Sequence, residues 1–411
     1  MNPVIGLDVA KGESQVQAFL DKGKPYRKSF SIHHDLDGLN QLLKFLEEIE
    51  SKTGVKPSVV LESTGHYHTP IIHFLEEHQY VYILVNPLIA FRAKSSSLRK
   101  VKTDAIDAYH LCELYYKEEL EPHRRRGVQL LNLRNLTRQH ESLSSTAAQT
   151  KLQLQSILDQ VFPEYRGVFG DLYSRVSLQT LLTFPTSETV LSATQAEITD
   201  TIASQCKSRS NKWAEEKARK LRDAAIKNPF QSNVYQSHLF NLELLIQLIL
   251  QYQGHLSKLN TEIDTLAKDI EEYKIIQSIP GIGEKIAATI ISEIGEINRF
   301  NHPKKLVAFA GVDPSVYASG KFTASVNRIT KRGSSRLRHA LYMAVQCGIR
   351  DARKKKTSED VIPRNKRLRE YYDKKRDEGK SYRAAIIACV NKLLHWIYAL
   401  LKSKSTFQDA A

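Results

Sequence analysis

Two long heptad seams constrain this chain more than any other feature. The first runs Leu133, Leu136, His140, Leu143, Ala147, Thr150, Leu154, Ile157 and Val161, in alternating steps of three and four. The second runs Leu242, Leu245, Ile249, Tyr252, Leu256, Leu259, Ile263, Leu266, Ile270 and Tyr273 without a skipped step. A mean spacing of 3.5 keeps one apolar stripe facing a partner helix, so both segments predict long coiled-coil helices. Seams of similar length suit an antiparallel hairpin with the polar residues 163–236 at its tip. They equally suit pairing between subunits, and two long helices of an ordinary bundle would read the same way, with His140 and Thr150 merely tolerated.

The 120 residues ahead of the first seam alternate between strand and helix patterns. Residues 4–9 and 15–20 suit a hairpin turning at Lys11-Gly12-Glu13, and residues 30–32 a third strand. Leucines and isoleucines at helical spacing mark 36–49, followed by a buried strand at 57–62, a helix at 68–77, a strand at 81–85 and a helix at 103–116. The order β-β-β-α-β-α-β-α predicts a mixed α/β domain.

With 411 residues the chain has room for two to four domains. Its 60 Lys+Arg against 45 Asp+Glu leave +15, which implies a polyanionic partner, nucleic acid before membrane surface. Residues 271–411 hold 28 Lys+Arg against 14 Asp+Glu, so the basic surface belongs to the C-terminal third. Cys112, Cys206, Cys347 and Cys389 lie far apart with no Cys-x-x-Cys pair, which fits reduced thiols in a cytoplasmic protein without zinc or disulfides. Met1-Asn2-Pro3 runs directly into the first strand, so no leader is expected, and apolar stretches such as residues 244–250 are too short to span a bilayer.

Four acids in the first domain stand out. Asp8 lies inside the first strand between apolar neighbours, where a charge is costly unless it is used. Glu62 ends the buried strand Val59-Val60-Leu61-Glu62 and runs into Ser63-Thr64-Gly65. Asp104 and Asp107 are three apart on one helical face. An Asp on strand one, a Glu on its neighbour and a later Asp pair on a helix is how an RNase H-like domain gathers oxygen ligands for Mg²⁺. Taken singly they have plainer uses: Thr103 or Asp104 as a helix N-cap, Asp107 as a first-turn acid, Glu62 as an exposed strand end. An actin-like ATPase also starts with a strand-one Asp, but it needs a second phosphate hairpin and a Gly-rich adenosine motif where this chain becomes coiled coil.

In the last third, Ile279-Pro280-Gly281-Ile282-Gly283-Glu284-Lys285-Ile286-Ala287-Ala288 has the form of a helix-hairpin-helix. Its backbone N–H groups and following helix N-terminus make a sequence-independent phosphate clamp. Gly311-Val312-Asp313-Pro314 and Ser319-Gly320 follow, then Arg328-Ile329-Thr330-Lys331-Arg332-Gly333. Ser-Gly is ordinarily a turn. Arg328, Lys331, Arg332, Arg336 and Arg338 are candidate phosphate contacts, with a solvated basic helix face as the plain reading. Residues 350–380 are dense in charge, and 382–401 form an amphipathic helix.

These two ordered sets of motifs resemble the DEDD-type insertion-sequence transposases, the insertion-sequence family one-ten of RNA-guided recombinases. The resemblance covers a RuvC-like domain carrying Gly6-Leu7-Asp8-Val9, Leu61-Glu62-Ser63-Thr64-Gly65 and Thr103-Asp104-Ala105-Ile106-Asp107, and a C-terminal transposase domain carrying the glycine and serine motifs. It implies that Asp8, Glu62, Asp104 and Asp107 bind Mg²⁺ and that Ser319 is a nucleophile forming a phosphoserine link to DNA. It also implies a composite site assembled from domains of different subunits in a coiled-coil-mediated dimer or tetramer. A structured noncoding RNA would pair with donor and target DNA, leaving the protein their backbones.

The expected fold class is α/β plus α: an RNase H-like (RuvC-like) mixed sheet at 1–125, coiled-coil helices at 126–273 with an insert at 163–236, a mainly helical transposase domain at 274–350 and a basic helical extension at 351–411. The expected function is DNA strand cleavage and exchange. A metal-dependent nuclease of Holliday-junction type, with Ser319 only a turn residue, is the enzymatic rival, and a non-catalytic nucleic-acid scaffold is the other. The acids argue against the scaffold, because without metal they would repel phosphate.

Overall fold

The computed structural model describes all residues except 1, 64, 86, 88–89, 91–102, 119–126, 207, 230–235, 316–317, 320–321, 324–327, 352–361 and 409–411. The sequence features at 121–126, 320 and 353–356 therefore lie outside the described residues. The chain divides into two units, Met1–Arg125 and Arg126–Ala411.

The first unit is a five-stranded sheet in the order β3-β2-β1-β4-β5. Strands β1 (Val4–Val9), β2 (Glu13–Asp21) and β3 (Lys24–His33) form an antiparallel meander. After α1 (Leu36–Thr53), β4 (Ser58–Glu62) pairs parallel to β1; after α2 (Thr69–Glu77), β5 (Tyr82–Val85) pairs parallel to β4. Helix α3 (Asp104–Lys117) closes the series, as the alternation of patterns predicted. The first turn is Ala10-Lys11-Gly12, one residue earlier than expected; Gly12 adopts φ +83° and Glu13 already belongs to β2.

Strand alternation sorts the side chains onto two faces. Ile5, Leu7 and Val9 pack with Leu42, Leu46 and Ile49 of α1 and with Ile71 and Leu75 of α2. Val4, Val60, Ile83 and Val85 pack with Leu111, Cys112 and Leu114 of α3. Helices α1 and α2 cover one face of the sheet and α3 the other, and burial on both faces accounts for the near-continuous apolar run of β4. The result is an RNase H-like mixed sheet.

The second unit is built on a stem. Helices α4 (Val128–Val161) and α9 (Gln236–Lys268) lie antiparallel within one chain: Leu133 shares a core with Ile263 and Ala267, while Leu154 and Leu158 share another with Leu242 and Ile246. The stem thus joins two cores, and between them Leu143, Tyr252, Leu256 and Leu259 are only half-buried. Thr150 is buried and satisfies its hydroxyl on the Thr146 carbonyl of its own helix, 3.1 Å away. This explains a polar residue in a seam.

At the stem's tip the polar insert folds around its own core. Helices α5 (Arg175–Thr183), α6 (Ser187–Ser192), α7 (Gln195–Gln205) and α8 (Asn211–Lys227) enclose Phe162, Tyr165, Leu178, Leu181, Ile198 and Leu221. Thr186 and Thr194 open their helices with reciprocal capping boxes, so backbone donors are met without tertiary help.

At the other end, α10 (Glu271–Gln277), α11 (Glu284–Ile294), α12 (Pro303–Ala310), α13 (Ser335–Ile349), α14 (Lys366–Asp377) and α15 (Tyr382–Ser403) form a helical bundle. Two expectations are corrected here. The second seam does not run through as one helix: Ile270 is extended (φ −94°, ψ 118°) and the chain bends into α10. Apolar spacing continues to Tyr273 because both residues remain buried in the bundle core, and periodicity does not register a bend that preserves burial. Second, α15 is long and apolar enough to cross a membrane by length and composition, contrary to the expectation that no such stretch exists. In the structure its Ile386, Val390, Leu393, Leu394 and Ile397 are fully buried in the bundle, while Lys392 and His395 lie on its outer side, which is the pattern of a core helix.

Candidate functional site

In the first unit Leu7 pairs with Leu61, so Asp8 and Glu62 stand one residue further on at the carboxyl ends of neighbouring parallel strands. By alternation both share the face of Val4, Gly6 and Val60, which is the face covered by α3. The seating of α3 depends on Gly6, where any Cβ would collide with the Ala108 carbonyl oxygen and press on Cys112 Sγ. At its C-terminal end α3 is tied to the start of β1, with the Tyr116 hydroxyl donating to the Asn2 carbonyl at 2.6 Å and Tyr115 to the Asn2 side chain at 3.0 Å. The helix therefore runs against β1, and its first turn arrives over the strand's carboxyl end.

That first turn carries Asp104 and Asp107, set by Thr103, whose hydroxyl caps the Ile106 N–H. Asp107 is 8% exposed. The plainer uses of these residues are thus partly met: Thr103 is the cap, and both aspartates are first-turn acids. The elements direct four carboxylates to one end of one face, an all-oxygen donor set of the kind hard divalent cations take. Among the described residues, however, no three His, Cys, Asp or Glu side chains stand close enough to hold a metal.

In the second unit Ser319 ends β6 (Ala318–Ser319), a short strand antiparallel to β7 (Phe322–Thr323) with Ser319 paired to Phe322. The base of this hairpin is a tight backbone junction. Pro314 bridges Ile329, Ser315 N–H donates to the Arg328 carbonyl at 2.7 Å, Thr330 N–H to that of Asp313 at 2.9 Å, and Lys331 N–H to that of Gly311 at 3.0 Å. Gly311 has φ +66°, and a Cβ on Gly333 would strike the Phe309 carbonyl. The two glycine-bearing motifs, separate in sequence, are halves of one joint.

Arg328, Lys331 and Arg332 are exposed around that joint. Lys331 itself adopts φ +53°, uncommon for a side-chain-bearing residue. Arg336 pairs with Glu141 of α4, and Arg338 donates to the Ala310 carbonyl at 3.0 Å, holding the end of α12. These two guanidiniums are engaged within the protein, whereas among the described residues the side chains of Arg328, Lys331 and Arg332 make no hydrogen bond or ion pair.

The helix-hairpin-helix is α10 and α11 with Ser278–Gly283 between them. Gly281 (φ +100°) lies against Gly348 of α13, whose Cα would stand 2.5 Å from an added Cβ. Asn365, fully buried, donates to the Pro280 carbonyl at 3.2 Å. Gly283 caps α11 and faces open space. A cleft of about 550 Å³ is lined by Gly281, Gly283, Glu284, Lys285, Cys347 and Arg364. Arg364, from the basic extension, is a cation there that sequence reasoning did not assign.

Sequence reasoning also missed Glu293. Its carboxylate is fully buried and accepts from Arg138 Nε and Nη2, at 2.7 and 3.1 Å, from Arg134 at 3.5 Å and from the Ser334 hydroxyl at 3.0 Å. Burial opposes its ionisation, but the Arg138 hydrogen bonds and the Arg134 and Arg138 charges outweigh it, holding the carboxyl at about 2. Arg299 lies nearby, stacked on Phe300 and Phe309 at 4.5 and 4.3 Å, and burial together with Arg134 lowers it to about 10. The available signal was an acid inside the apolar run Ile290-Ile291-Ser292-Glu293-Ile294. Through Ser334, N-cap of α13, this network ties stem helix α4 to the joint beneath Ser319.

Two segments of the chain match families of known proteins. Residues 5–163 match a DEDD family described as "Transposase", and residues 273–372 match the "Transposase IS116/IS110/IS902 family". A protein of Streptomyces clavuligerus, "Insertion element IS116 uncharacterized 44.8 kDa protein", is 23% identical over 99% of this chain and 96% of its own. The "Transposase for insertion sequence element IS1111A" of Coxiella burnetii is 28% identical over 36% of this chain and 38% of its own. The "Pilin gene-inverting protein" of Moraxella bovis is 27% identical over 32% and 38%. With both motif sets matched in order, the chain belongs to the IS110 family of insertion-sequence transposases, enzymes of DNA transposition and recombination.

Proposed function

We propose that the protein cuts and rejoins DNA with Ser319 as nucleophile and with Asp8, Glu62, Asp104 and Asp107 holding Mg²⁺. The observation that supports this reading is the placement of Asp8 and Glu62 at the carboxyl ends of adjoining parallel strands, with the first turn of α3 over the same end. When bound there, Mg²⁺ would neutralise charge on the phosphate and allow a polyanion to approach four acids. The Ser319 hydroxyl attacks phosphorus, an Oγ–P bond forms as one deoxyribose oxygen–phosphorus bond breaks, and the hydroxyl proton ends on the departing oxygen. Attack by a hydroxyl of another strand reverses the step and completes exchange.

The DNA backbone is held by the Gly281–Lys285 hairpin and by Arg328, Lys331 and Arg332, with Arg336 and Arg338 contributing after release from their internal partners. A structured noncoding RNA supplies target choice, because a phosphate clamp reads no sequence. The working divisions are a RuvC-like domain at 1–125, the stem and cap at 126–273, the serine domain at 274–350 and the basic extension at 351–411.

Assembly into a dimer or tetramer is supported by the stem. Phe240, Leu244 and Leu248 of α9 are 62%, 42% and 39% exposed and four residues apart, an apolar stripe beyond the intramolecular seam. The test of the whole reading is to trap a protein–DNA adduct on a strand-exchange substrate with Mg²⁺. Loss of adduct in both Ser319→Ala and the double variant Asp8→Asn, Asp104→Asn is expected. An adduct undiminished in Ser319→Ala removes serine from the chemistry.

A further inference from the structure

We propose that the groove between α14 and α15 binds unpaired, single-stranded polynucleotide, separately from the hairpin and serine motifs. The groove measures about 530 Å³ and is lined by Tyr371, Lys375, Lys380, Asn391, Lys392 and Trp396, with exposed His395 beside them. All but Tyr371 lie beyond residue 372, where the match to the transposase family ends.

Cations and rings alternate in this groove. The Lys392 ammonium sits 4.3 Å from the centre of the Tyr371 ring and 5.5 Å from that of Trp396, and the Lys375 ammonium sits 5.2 Å from the Tyr371 ring. Lys375 is also neutralised by Glu378, at 2.7 and 2.9 Å. Lys380 and Lys392 have no carboxylate partner among the described residues, so their charge is available to phosphates. Lys392 is held in place by the two rings without being neutralised, because the cation–π attraction leaves its positive charge intact.

The choice of partner follows from that pairing. An acidic peptide would satisfy the lysines and leave Trp396, His395 and the Asn391 amide unused. A duplex offers phosphates only along its ridges and keeps its base faces stacked inside. An unpaired strand brings phosphates, exposed base faces and base edges together, and stacking on aromatic side chains strengthens binding in a way that tolerates any sequence. RNA and DNA strands share this chemistry.

The chain's two tryptophans make a direct test. In the full-length Trp213→Phe variant, Trp396 is the sole indole reporter, and it is titrated with oligo(U), oligo(dT), a duplex of equal length and polyglutamate. Quenching by one or both single strands, at least tenfold weaker for duplex and polyglutamate, is the expected result, and the tighter of oligo(U) and oligo(dT) identifies the source. Adding Lys380→Ala and Lys392→Ala should weaken the quench about tenfold and lower the salt slope by about 0.7 for each phosphate no longer neutralised. Neither lysine belongs to the bundle core, so folding is preserved. No quench with either strand, equal quench by polyglutamate or duplex, or indifference to the lysine pair would overturn the assignment.

Discussion

Arg138 and Glu293 face each other as a two-pronged ion pair, with Nε on Oε1 at 2.7 Å and Nη2 on Oε2 at 3.1 Å, across the packing of stem helix α4 on α11. One fully buried carboxylate there answers the charges of Arg134 and Arg138 as well as the Ser334 hydroxyl. Replacing it with Gln leaves guanidiniums without a counter-charge. Glu293→Gln is expected to destabilise the second unit by about 3–5 kcal/mol in urea unfolding. A loss below about 1 kcal/mol would mean that the network contributes little.

The same carboxyl sets a pH dependence. Its value in the folded protein, about 2, lies below the ordinary 4.5, so the unfolded chain binds its proton first on acidification. The stabilisation is complete above about pH 4.5 and is lost as pH falls towards 2. Wild-type protein should unfold with an acid limb between these values that is absent in Glu293→Gln, measured by circular dichroism across pH.

Gly281 and Gly283 separate packing from binding. An alanine at 281 meets both φ +100° and the Gly348 backbone, and is expected to cost at least about 2 kcal/mol. An alanine at 283 meets open space and should leave stability within about 1 kcal/mol while weakening duplex DNA binding by crowding the α11 N-terminus. Unchanged DNA affinity in Gly283→Ala, measured by anisotropy, would remove the hairpin from the interface.

For the exposed stripe on α9, Leu244→Lys with Leu248→Lys should lower the assembly state in sedimentation and leave the circular dichroism spectrum unchanged. An unchanged oligomer would place the interface elsewhere.

In the acid site, Asp8→Asn with Asp104→Asn should abolish Mg²⁺-dependent strand cleavage. Cleavage that persists would end the metal assignment.

The parts of the fold that follow from local periodicity were legible in the sequence: the strand and helix order through Lys117, both stem helices, and α15. The site was legible as far as the backbone carries it. Asp8, Glu62, Asp104 and Asp107 could be assigned to their elements, and the register of β1 on β4 then puts two of them side by side. Interactions that depend on tertiary closure were not readable. Nothing near Gly311 announces that it touches Gly333, nor does Glu293 reveal its partners Arg134 and Arg138, far away in sequence on α4. The bend at Ile270 was hidden because burial, which sets the spacing, continues through it.

The stem also acts as a ruler. Its 34-residue helix α4 spans about 50 Å at 1.5 Å per residue, and the cap core and the bundle core each close independently at its ends. The half-buried middle has little to disturb, so about seven residues added to each of α4 and α9 would lengthen the spacer by about 10 Å with only a small rotation. The reach of the cap is therefore a quantity that insertion of whole heptads would change without redesigning either end.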